Sequence, residues 1–287
     1  MTWSIRGRTV LLTGGTSGIG EAAAVALSRG GADLVLVARS PARAEATSAR
    51  LERETGRRPA VLFGDLAVQA DVRRLADEFL RSGRPLHVLV NNAGLVMSER
   101  VLTPDGLETS LAVNHLAGFL LTNLLLDRLR ESAPARVVNV SSVGHRFVRR
   151  FDFDDLARAR RFRGMRVYCQ TKLANVLFTR ELAWRLDGTD VTVNCVHPGN
   201  VATRFGKNTE GILDWGSRLI ARLRRTPERG AETVVYLCAA PEVEGISGEY
   251  FADRRVRRAS RGARRDEDAR RLWDVSATLT GLAPQAK

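Results

Sequence analysis

Two residues in the second half of the chain, Tyr168 and Lys172, have the types and the spacing that proton exchange requires. They stand four positions apart in a segment with helical periodicity, so they share one helix face with roughly 5–6 Å between their Cβ atoms. A neighbouring ammonium favours the ionised form of a phenol, which predicts a Tyr168 pKa below the usual value of about 10. Such a phenol could give or take a proton near neutral pH. By itself, a Tyr-x3-Lys spacing is common on helices by chance.

Two further polar groups could join this pair. Ser142 ends a predicted strand that begins at Arg136, and Ser141 beside it is the alternative hydroxyl. Open α/β sheets bind ligands at the carboxyl ends of their strands, which is where this hydroxyl would lie. Asn114 falls inside a predicted helix from Asp105 to Leu129, where a buried amide side chain needs hydrogen-bond partners.

An anion-binding turn is predicted near the N-terminus. The apolar residues 9–12 read as a buried strand, and the helical residues 21–27 follow a glycine-rich turn. Free backbone N–H groups and the helix dipole meet at such a turn, and glycines let a pyrophosphate approach the backbone closely. The turn has the spacing Gly-x3-Gly-x-Gly and contains Gly14, Thr16, Ser17, Gly18, Ile19 and Gly20.

Further apolar runs alternate with helical segments along the chain, which predicts a Rossmann-type α/β fold. We expect a doubly wound parallel sheet of about seven strands with helices on both faces, in a single domain spanning residues 1–287. In such a fold the residue that ends the second strand reads the cofactor ribose: a carboxylate there selects NAD and an arginine accommodates the 2′-phosphate of NADP. Arg39 follows the second predicted strand, residues 34–38, and therefore favours NADP(H) over NAD(H).

The chain resembles the short-chain dehydrogenase/reductase family. The resemblance rests on the glycine turn after Thr13, the run Asn91-Asn92-Ala93-Gly94, Ser142, and the Tyr168–Lys172 pair, all in family order. A long segment between Ser142 and Tyr168, together with residues 173–182 and 270–274, is similar to the retinol dehydrogenase-like branch. The similarity runs from about Gly7 to Leu282, and we do not expect the N-terminal membrane anchor of many eukaryotic members.

The resemblance implies hydride transfer between a nicotinamide cofactor and a carbonyl or alcohol. Tyr168 would exchange the proton, Ser142 would hold the substrate oxygen, Lys172 would bind the nicotinamide ribose, and Asn114 would anchor a water relay. Asp65 would contact the adenine, although capping of the helix at 68–81 explains it equally well. Asn92 could instead be structural. The remaining cofactor positions implied by the family are Leu66, Ala93, Gly94, Pro198, Gly199, Val201 and Thr203.

A substrate cap is expected at about residues 204–225. An apolar stripe there has helical spacing and is interrupted by Gly211 and Gly216. In the family this position covers the substrate, which implies a lipophilic carbonyl or alcohol; a partner-facing or membrane-facing surface is the alternative. The stripe consists of Ile212, Leu213, Trp215, Leu219, Ile220 and Leu223.

Composition narrows the remaining classes. The net charge of +13 comes from arginines spread among acidic residues, with lysine only at Lys172, Lys207 and Lys287, so we expect no nucleic-acid partner. There is no apolar run long enough for a transmembrane helix, and no secretory leader is expected. Three widely spaced cysteines suggest neither disulfides nor a metal site. These features predict a cytoplasmic protein, with a homodimer or homotetramer possible.

Two other functions fit parts of the pattern. A catalytically silent NADP(H)-binding sensor or scaffold would share the fold, but it would be free to lose Tyr168. Sugar-nucleotide epimerases also use Tyr-x3-Lys, but their glycine spacing is usually Gly-x2-Gly-x2-Gly, which this turn does not have.

Overall fold

A central, mostly parallel sheet organises the protein. The structure, a computed structural model, describes residues 3–158, 160, 162–199 and 226–282. The strands of these residues are β1 (Thr9–Thr13), β2 (Asp33–Ala38), β3 (Ala60–Phe63), β4 (Val88–Asn91), β5 (Ala135–Val140), β6 (Val191–His197), β7 (Tyr250–Ala252) and β8 (Arg255–Val256). They form one sheet in the order β3-β2-β1-β4-β5-β6-β7-β8, in which only the pairing of β7 with β8 is antiparallel.

Helices cover both faces of this sheet, as the alternating pattern predicts. Residues Val10 and Leu12 of β1 pack on one face and Leu11 packs on the other, so the middle of the strand is apolar on both faces. The helices are α1 (Gly18–Arg29), α2 (Pro41–Thr55), α3 (Gln69–Arg81), α4 (Thr109–Leu111), α5 (Ala117–Leu124), α6 (Leu126–Glu131), α7 (Gly164–Arg185), α8 (Pro227–Ala239) and α9 (Asp266–Leu279). Helices α1, α2 and α8 pack in the core on the Val10 face of the sheet, and α3, α5, α7 and α9 pack in the core on the Leu11 face.

The strand order reverses between β1 and β4. From β1 the chain builds outward through β2 and β3, and from β4 it builds the other way through β5 and β6. A crevice therefore opens at the carboxyl ends of β1 and β4, the position at which doubly wound sheets bind dinucleotides.

The predicted helix from Asp105 to Leu129 is wrong as a single element. Glu108 caps α4, since its carboxylate accepts from the backbone N–H groups of Ser110 and Leu111 at 2.9 and 2.8 Å. The next residues, Ala112–Leu116, form one wide π-helical turn before α5 begins, and the helix breaks again at Leu125. Such insertions often occur at functional sites, and this one contains Asn114.

The sheet has one strand more than the predicted seven. Tyr250–Ala252 is not the edge, because the two-residue strand β8 pairs with it after a tight turn at Asp253 and Arg254, both of which have positive φ. Among the described residues, no helix combines the length and apolar character that crossing a bilayer requires. The expected cap at 204–225 and its stripe lie outside the described residues.

Candidate active site

The predicted proton-exchanging groups meet at the carboxyl end of β5. Strand β5 ends at Val140, and Ser142 continues in extended backbone with its Oγ accepting from the N–H of Gly144 at 3.1 Å. Ser141 is buried and donates its hydroxyl to the carbonyl of Lys172 at 2.7 Å. This geometry favours Ser142, rather than Ser141, as the hydroxyl available to a ligand.

Helix α7 brings Tyr168 and Lys172 to the same place. Tyr168 and Ser142 share a hydrogen bond. The Lys172 side chain is buried; its Nζ donates to the carbonyl of Val140 at 3.0 Å and lies 5.5 Å from the centroid of the Tyr168 ring. Strand end and helix thus bring the three predicted groups into one cluster.

The expected direction of the Tyr168 pKa shift is wrong. Burial raises this pKa above 10, and the hydrogen bond with Ser142 lowers it by less. Burial also lowers the pKa of Lys172 to about 8, so the ammonium is itself disfavoured there. The sequence spacing placed the pair correctly, but it carried no information about the burial of both groups.

Asn114 is held beside this cluster by the π-helical turn. Its Oδ1 accepts from the N–H of Leu95 at 2.7 Å, and its Nδ2 donates to the Leu95 carbonyl and to Oγ1 of Thr171 at 2.9 and 3.0 Å. A Cβ placed on Gly94 would lie 3.3 Å from Nζ of Lys172 and 3.4 Å from Oδ1 of Asn114. Asn114 is therefore next to Lys172, while its role in a water relay stays a prediction.

The glycine turn adopts a conformation that other residues disfavour. Gly14 and Gly18 have φ of +65° and +54°, the left-handed region that glycine tolerates. A Cβ on Gly20 would lie only 2.2 Å from the carbonyl oxygen of Gly14. Ser17 stands at the cap position of α1, but its side chain accepts no hydrogen bond from the first N–H groups of the helix. Thr16, Ser17 and Ile19 lie in or directly after this turn.

Asn92 bridges backbone groups of neighbouring strands, which is the structural alternative given for it above. Its Nδ2 donates to the carbonyls of Thr13 and Gly14 at 2.9 and 3.2 Å, which ties β4 to the glycine turn. Thr13, which was expected only as the residue before the glycine turn and with no role of its own, completes this tie: its Oγ1 donates to the carbonyl of Val90 and accepts from the N–H groups of Asn92 and Ala93. A threonine directly before the glycine turn was the available signal.

Arg39, which was expected to contact the cofactor ribose, lies directly after β2, and that contact stays a prediction. Arg39 follows β2 with a side chain that is 73% exposed, and its Nη1 lies 3.4 Å from Oδ2 of Asp65. Asp65 does not cap α3: the cap position is Val68, and the Asp65 Oδ1 accepts from the N–H of Ala67 instead. Leu66 packs against the core beside it.

The turn after β6 contributes the last described candidates. Pro198 is buried, and Gly199 follows it with φ of +87°. Val201 and Thr203 lie outside the described residues. Within the parts of the chain that are described, Cys169, Cys195 and Cys238 are free and buried, and no three His, Cys, Asp or Glu side chains group closely enough to hold a metal ion.

A cavity of about 450 Å³ opens directly beside Ser142 and Tyr168. Its wall is largely apolar, and two of its side chains are unusually exposed for their type: Phe147 at 76% and Met165 at 57%. Phe147 ends the 3₁₀ turn Val143–Phe147 that follows Ser142, and Met165 lies in the first turn of α7. The cavity is large enough to hold a small organic molecule against the two hydroxyls.

Two histidines near Ser142 complete the site, and sequence reasoning gave neither of them a role in positioning Ser142. The ring Nδ1 of His145 lies 2.7 Å from the carbonyl oxygen of Ser142. The Nδ1 of His197, at the end of β6, accepts from the N–H of Val143 at 3.2 Å. His145 follows Ser142 by three positions, but a lone histidine in a short turn gives no signal of such a contact.

The chain belongs to the short chain dehydrogenase family, whose family model matches residues 8–211. It is an oxidoreductase of the class that acts on CH–OH and C=O groups, and it falls in the retinol dehydrogenase-like branch. Human retinol dehydrogenase 14 is 40% identical over 301 aligned residues, which cover 97% of this chain and 88% of that protein.

Solved structures agree with this assignment. A crystal structure of an uncharacterized protein from Mycobacterium paratuberculosis is 32% identical, with a TM-score of 0.79 and coverage of 98% of this chain and 96% of that one. The Pseudomonas aeruginosa RhlG/NADP active-site complex is 29% identical, with a TM-score of 0.70 and coverage of 86% and 95%. The expected fold class and family are therefore confirmed.

Proposed function

We propose that the protein transfers hydride between NADP(H) and a lipophilic carbonyl or alcohol. The observation that carries this proposal is the meeting of Ser142, Tyr168 and Lys172 at one end of a largely apolar cavity. A catalytically silent sensor would need neither the hydrogen-bonded hydroxyl pair nor the buried lysine beside it.

The residues around the glycine turn fit a dinucleotide. At Gly14 and Gly20 an added Cβ would meet Ala93, Asn92 or Gly14 itself, so the backbone there is packed as a close-fitting turn at the start of α1. Such a helix start favours a pyrophosphate. When bound, the nicotinamide supplies or accepts the hydride. The holding residues would be Gly14, Thr16, Ser17, Gly18, Ile19, Gly20, Arg39, Asp65, Leu66, Asn92, Ala93, Gly94, Tyr168, Lys172, Pro198, Gly199, Val201 and Thr203.

Arg39 supports a preference for NADP(H). The guanidinium is largely exposed, and its ion pair with Asp65 is long, at 3.4 Å, and open to water. Exposed pairs of this kind are worth little, so a 2′-phosphate could take over the guanidinium at small cost. The RhlG structure, a relative solved with NADP, is consistent with this choice.

Tyr168 is suited to donate a proton in the direction of carbonyl reduction. Its raised pKa keeps the phenol protonated near neutral pH, and Ser142 sits within hydrogen-bond reach to hold the same substrate oxygen. Lys172 places a titratable cation beside the phenol ring, and Asn114 lies next to it. We assign Lys172 to the nicotinamide ribose and to proton return, and Asn114 to the water relay.

A lipophilic substrate is supported by the wall of the cavity. Phe147, Val148 and Met165 line the cavity, and the Phe147 ring is exposed. An alkyl chain bound against this ring would remove apolar surface of both groups from water, which is favourable. The relative named for retinol points to the same chemistry. We place the cap of this pocket at residues 204–225, within a single domain spanning 1–287.

The test is steady-state reduction of a series of straight-chain aldehydes. We expect NADPH to support turnover better than NADH, and kcat/KM to rise with chain length by up to roughly fourfold per methylene, from about 0.8 kcal/mol per buried CH₂. Phe147→Ala should flatten the rise. The matched control is Trp184→Ala, which removes an aromatic side chain that is 63% exposed on α7 and does not line the cavity.

A series that is flat in the parent protein would contradict the lipophilic pocket. Equal or better turnover with NADH would contradict the cofactor assignment, and no reduction of any aldehyde with either cofactor would favour the silent alternative.

A further inference from the structure

The peptide group that joins Ser142 to Val143 has both of its polar atoms bound by imidazoles. The parallel ladder between β5 and β6 ends just before it, where the N–H of Ser141 donates to the carbonyl of Val196 at 2.8 Å. Beyond that point the serine peptide, Ser142 C=O with Val143 N–H, has no strand partner in the described ladder. A peptide leaving a sheet needs other partners, and here they are the imidazoles of His145 and His197, while the backbone N–H of His145 also donates to the Ser142 carbonyl at 3.2 Å.

The contacts of His145 determine its tautomer. A carbonyl oxygen can only accept, so Nδ1 donates its proton to Ser142 at 2.7 Å. The backbone N–H of Ser260 points at Nε2 at 3.2 Å, so Nε2 must carry a lone pair. The ring is buried and packs edge-on against Tyr250 with centroids 4.7 Å apart. Burial and the neighbouring Arg146 lower the pKa of His145, which is consistent with a neutral ring.

His197 has the opposite tautomer. Its Nδ1 accepts from the N–H of Val143, so a neutral ring carries its proton on Nε2. One imidazole therefore donates to the serine peptide and the other accepts from it. His145 is anchored in turn to the loop before α9 through Ser260, while His197 is anchored by its place at the end of β6.

We propose that His145 and His197 are positioning residues that fix the serine peptide, and through it the hydroxyl of Ser142, in the geometry needed for turnover. The inference rests on the proposed role of Ser142. Rotation of this peptide would move Oγ relative to Tyr168, and a displacement of about 1 Å in a catalytic group can cost about 10²-fold in rate.

Kinetics of His197 variants test the proposal, and the chain supplies a matched control. His87 also accepts a backbone N–H at Nδ1, from Thr9 at 3.0 Å, but at the amino ends of β1 and β4, away from Ser142. His197→Leu should lower kcat about 10²-fold with little change in NADPH affinity, whereas His87→Leu should leave kcat within about twofold of the parent. His197→Asn, whose amide oxygen replaces the accepting Nδ1, should recover most of the loss.

Equal effects of His197→Leu and His87→Leu on kcat would overturn the proposal, as would a failure of His197→Asn to recover activity. In a Ser142→Ala background, His197→Leu should cost nothing further, because the group it positions is gone. If Ser142→Ala alone leaves turnover intact, the proposed role of Ser142 fails, and the positioning role fails with it.

Imidazole ¹⁵N chemical shifts of the unaltered protein give a readout that does not depend on activity or on the folding of a variant. At neutral pH the proton should be found on Nδ1 of His145 and on Nε2 of His197. The same tautomer in both rings, or a doubly protonated ring, would contradict the hydrogen bonds on which the inference stands.

Discussion

The two ends of strand β5 each bury a cation, and the two cations are held very differently. At the amino end Arg136 donates to the carbonyls of Leu237 and Ala240 at 3.0 and 2.8 Å and stacks over Trp3, whose ring is 3.8 Å from the guanidinium carbon. At the carboxyl end Lys172 reaches only one described carbonyl, that of Val140, which also accepts from Asn175.

The surroundings of Arg136 explain why it is there. Helix α8 ends at Ala239, and Pro241 has no N–H with which to bond the last carbonyls of the helix. Arg136 donates to the carbonyl of Leu237, and the indole N–H of Trp3 donates to the carbonyl of Cys238 at 3.0 Å. The arginine thus serves as a helix cap. Burial lowers its pKa to about 10, which still leaves it charged at neutral pH.

Lys172 satisfies no backbone group that would otherwise lack a partner. Its pKa, lowered to about 8, lies close enough to neutrality for the proton to leave and return. With the role proposed for Lys172, the comparison is between a cation that caps a helix and a cation that takes part in the chemistry, and each role can be tested by removing the charge.

The larger effect is expected from Lys172→Met. Turnover should fall by at least about 10²-fold, the usual contribution of a proton-transfer group, while the protein stays folded. The pKa of Lys172 is about 8 in the folded protein and 10.5 in the unfolded chain. Below pH 8 the ammonium is buried in the folded state, and the full cost of that burial lowers the unfolding free energy. The cost is lost as the pH rises from 8 to 10.5, because the folded protein then holds the neutral amine. The parent should therefore gain on the order of 3 kcal/mol relative to Lys172→Met across that range. Denaturant unfolding at several pH values measures the difference.

If the difference in unfolding free energy between parent and variant stays constant from pH 7 to 10.5, the pKa of Lys172 is not lowered by burial. Turnover of Lys172→Met within a few-fold of the parent would remove the lysine from the chemistry.

The smaller effect is expected from Arg136→Met, which should lower stability and leave turnover nearly unchanged. The buried carbonyl of Leu237 and the partly buried carbonyl of Ala240 would lose their donor, so the unfolding free energy should fall by about 1–3 kcal/mol. Turnover should change little, because Arg136 lies at the far end of the strand from Ser142. Thermal and denaturant unfolding would measure the change in stability, and kcat measured on the same preparation would measure the change in turnover. A large loss of kcat without a loss of stability would contradict the structural role of Arg136.

The parts of the site that sequence predicts are those with a local signature. The glycine turn, Arg39 after β2 and the Tyr168–Lys172 spacing each depend on a few adjacent residues, and they lie where predicted. The π-helical turn around Asn114 could not be predicted from local sequence, and the Asn114 side chain within it is held by hydrogen bonds to Leu95 in another segment. The direction of the Tyr168 pKa shift and the link from Trp3 to Cys238 also depend on contacts between distant segments.

The most direct test of the account follows the hydride itself. The protein is given NADPH that carries deuterium on the transferable C4 position, together with a long-chain aldehyde, and the alcohol is analysed by mass spectrometry. We expect one deuterium on the former carbonyl carbon, with turnover reduced about 10²–10⁴-fold by Tyr168→Phe while NADPH still binds. An alcohol without deuterium, or a Tyr168→Phe enzyme as fast as the parent, would contradict hydride transfer assisted by this tyrosine.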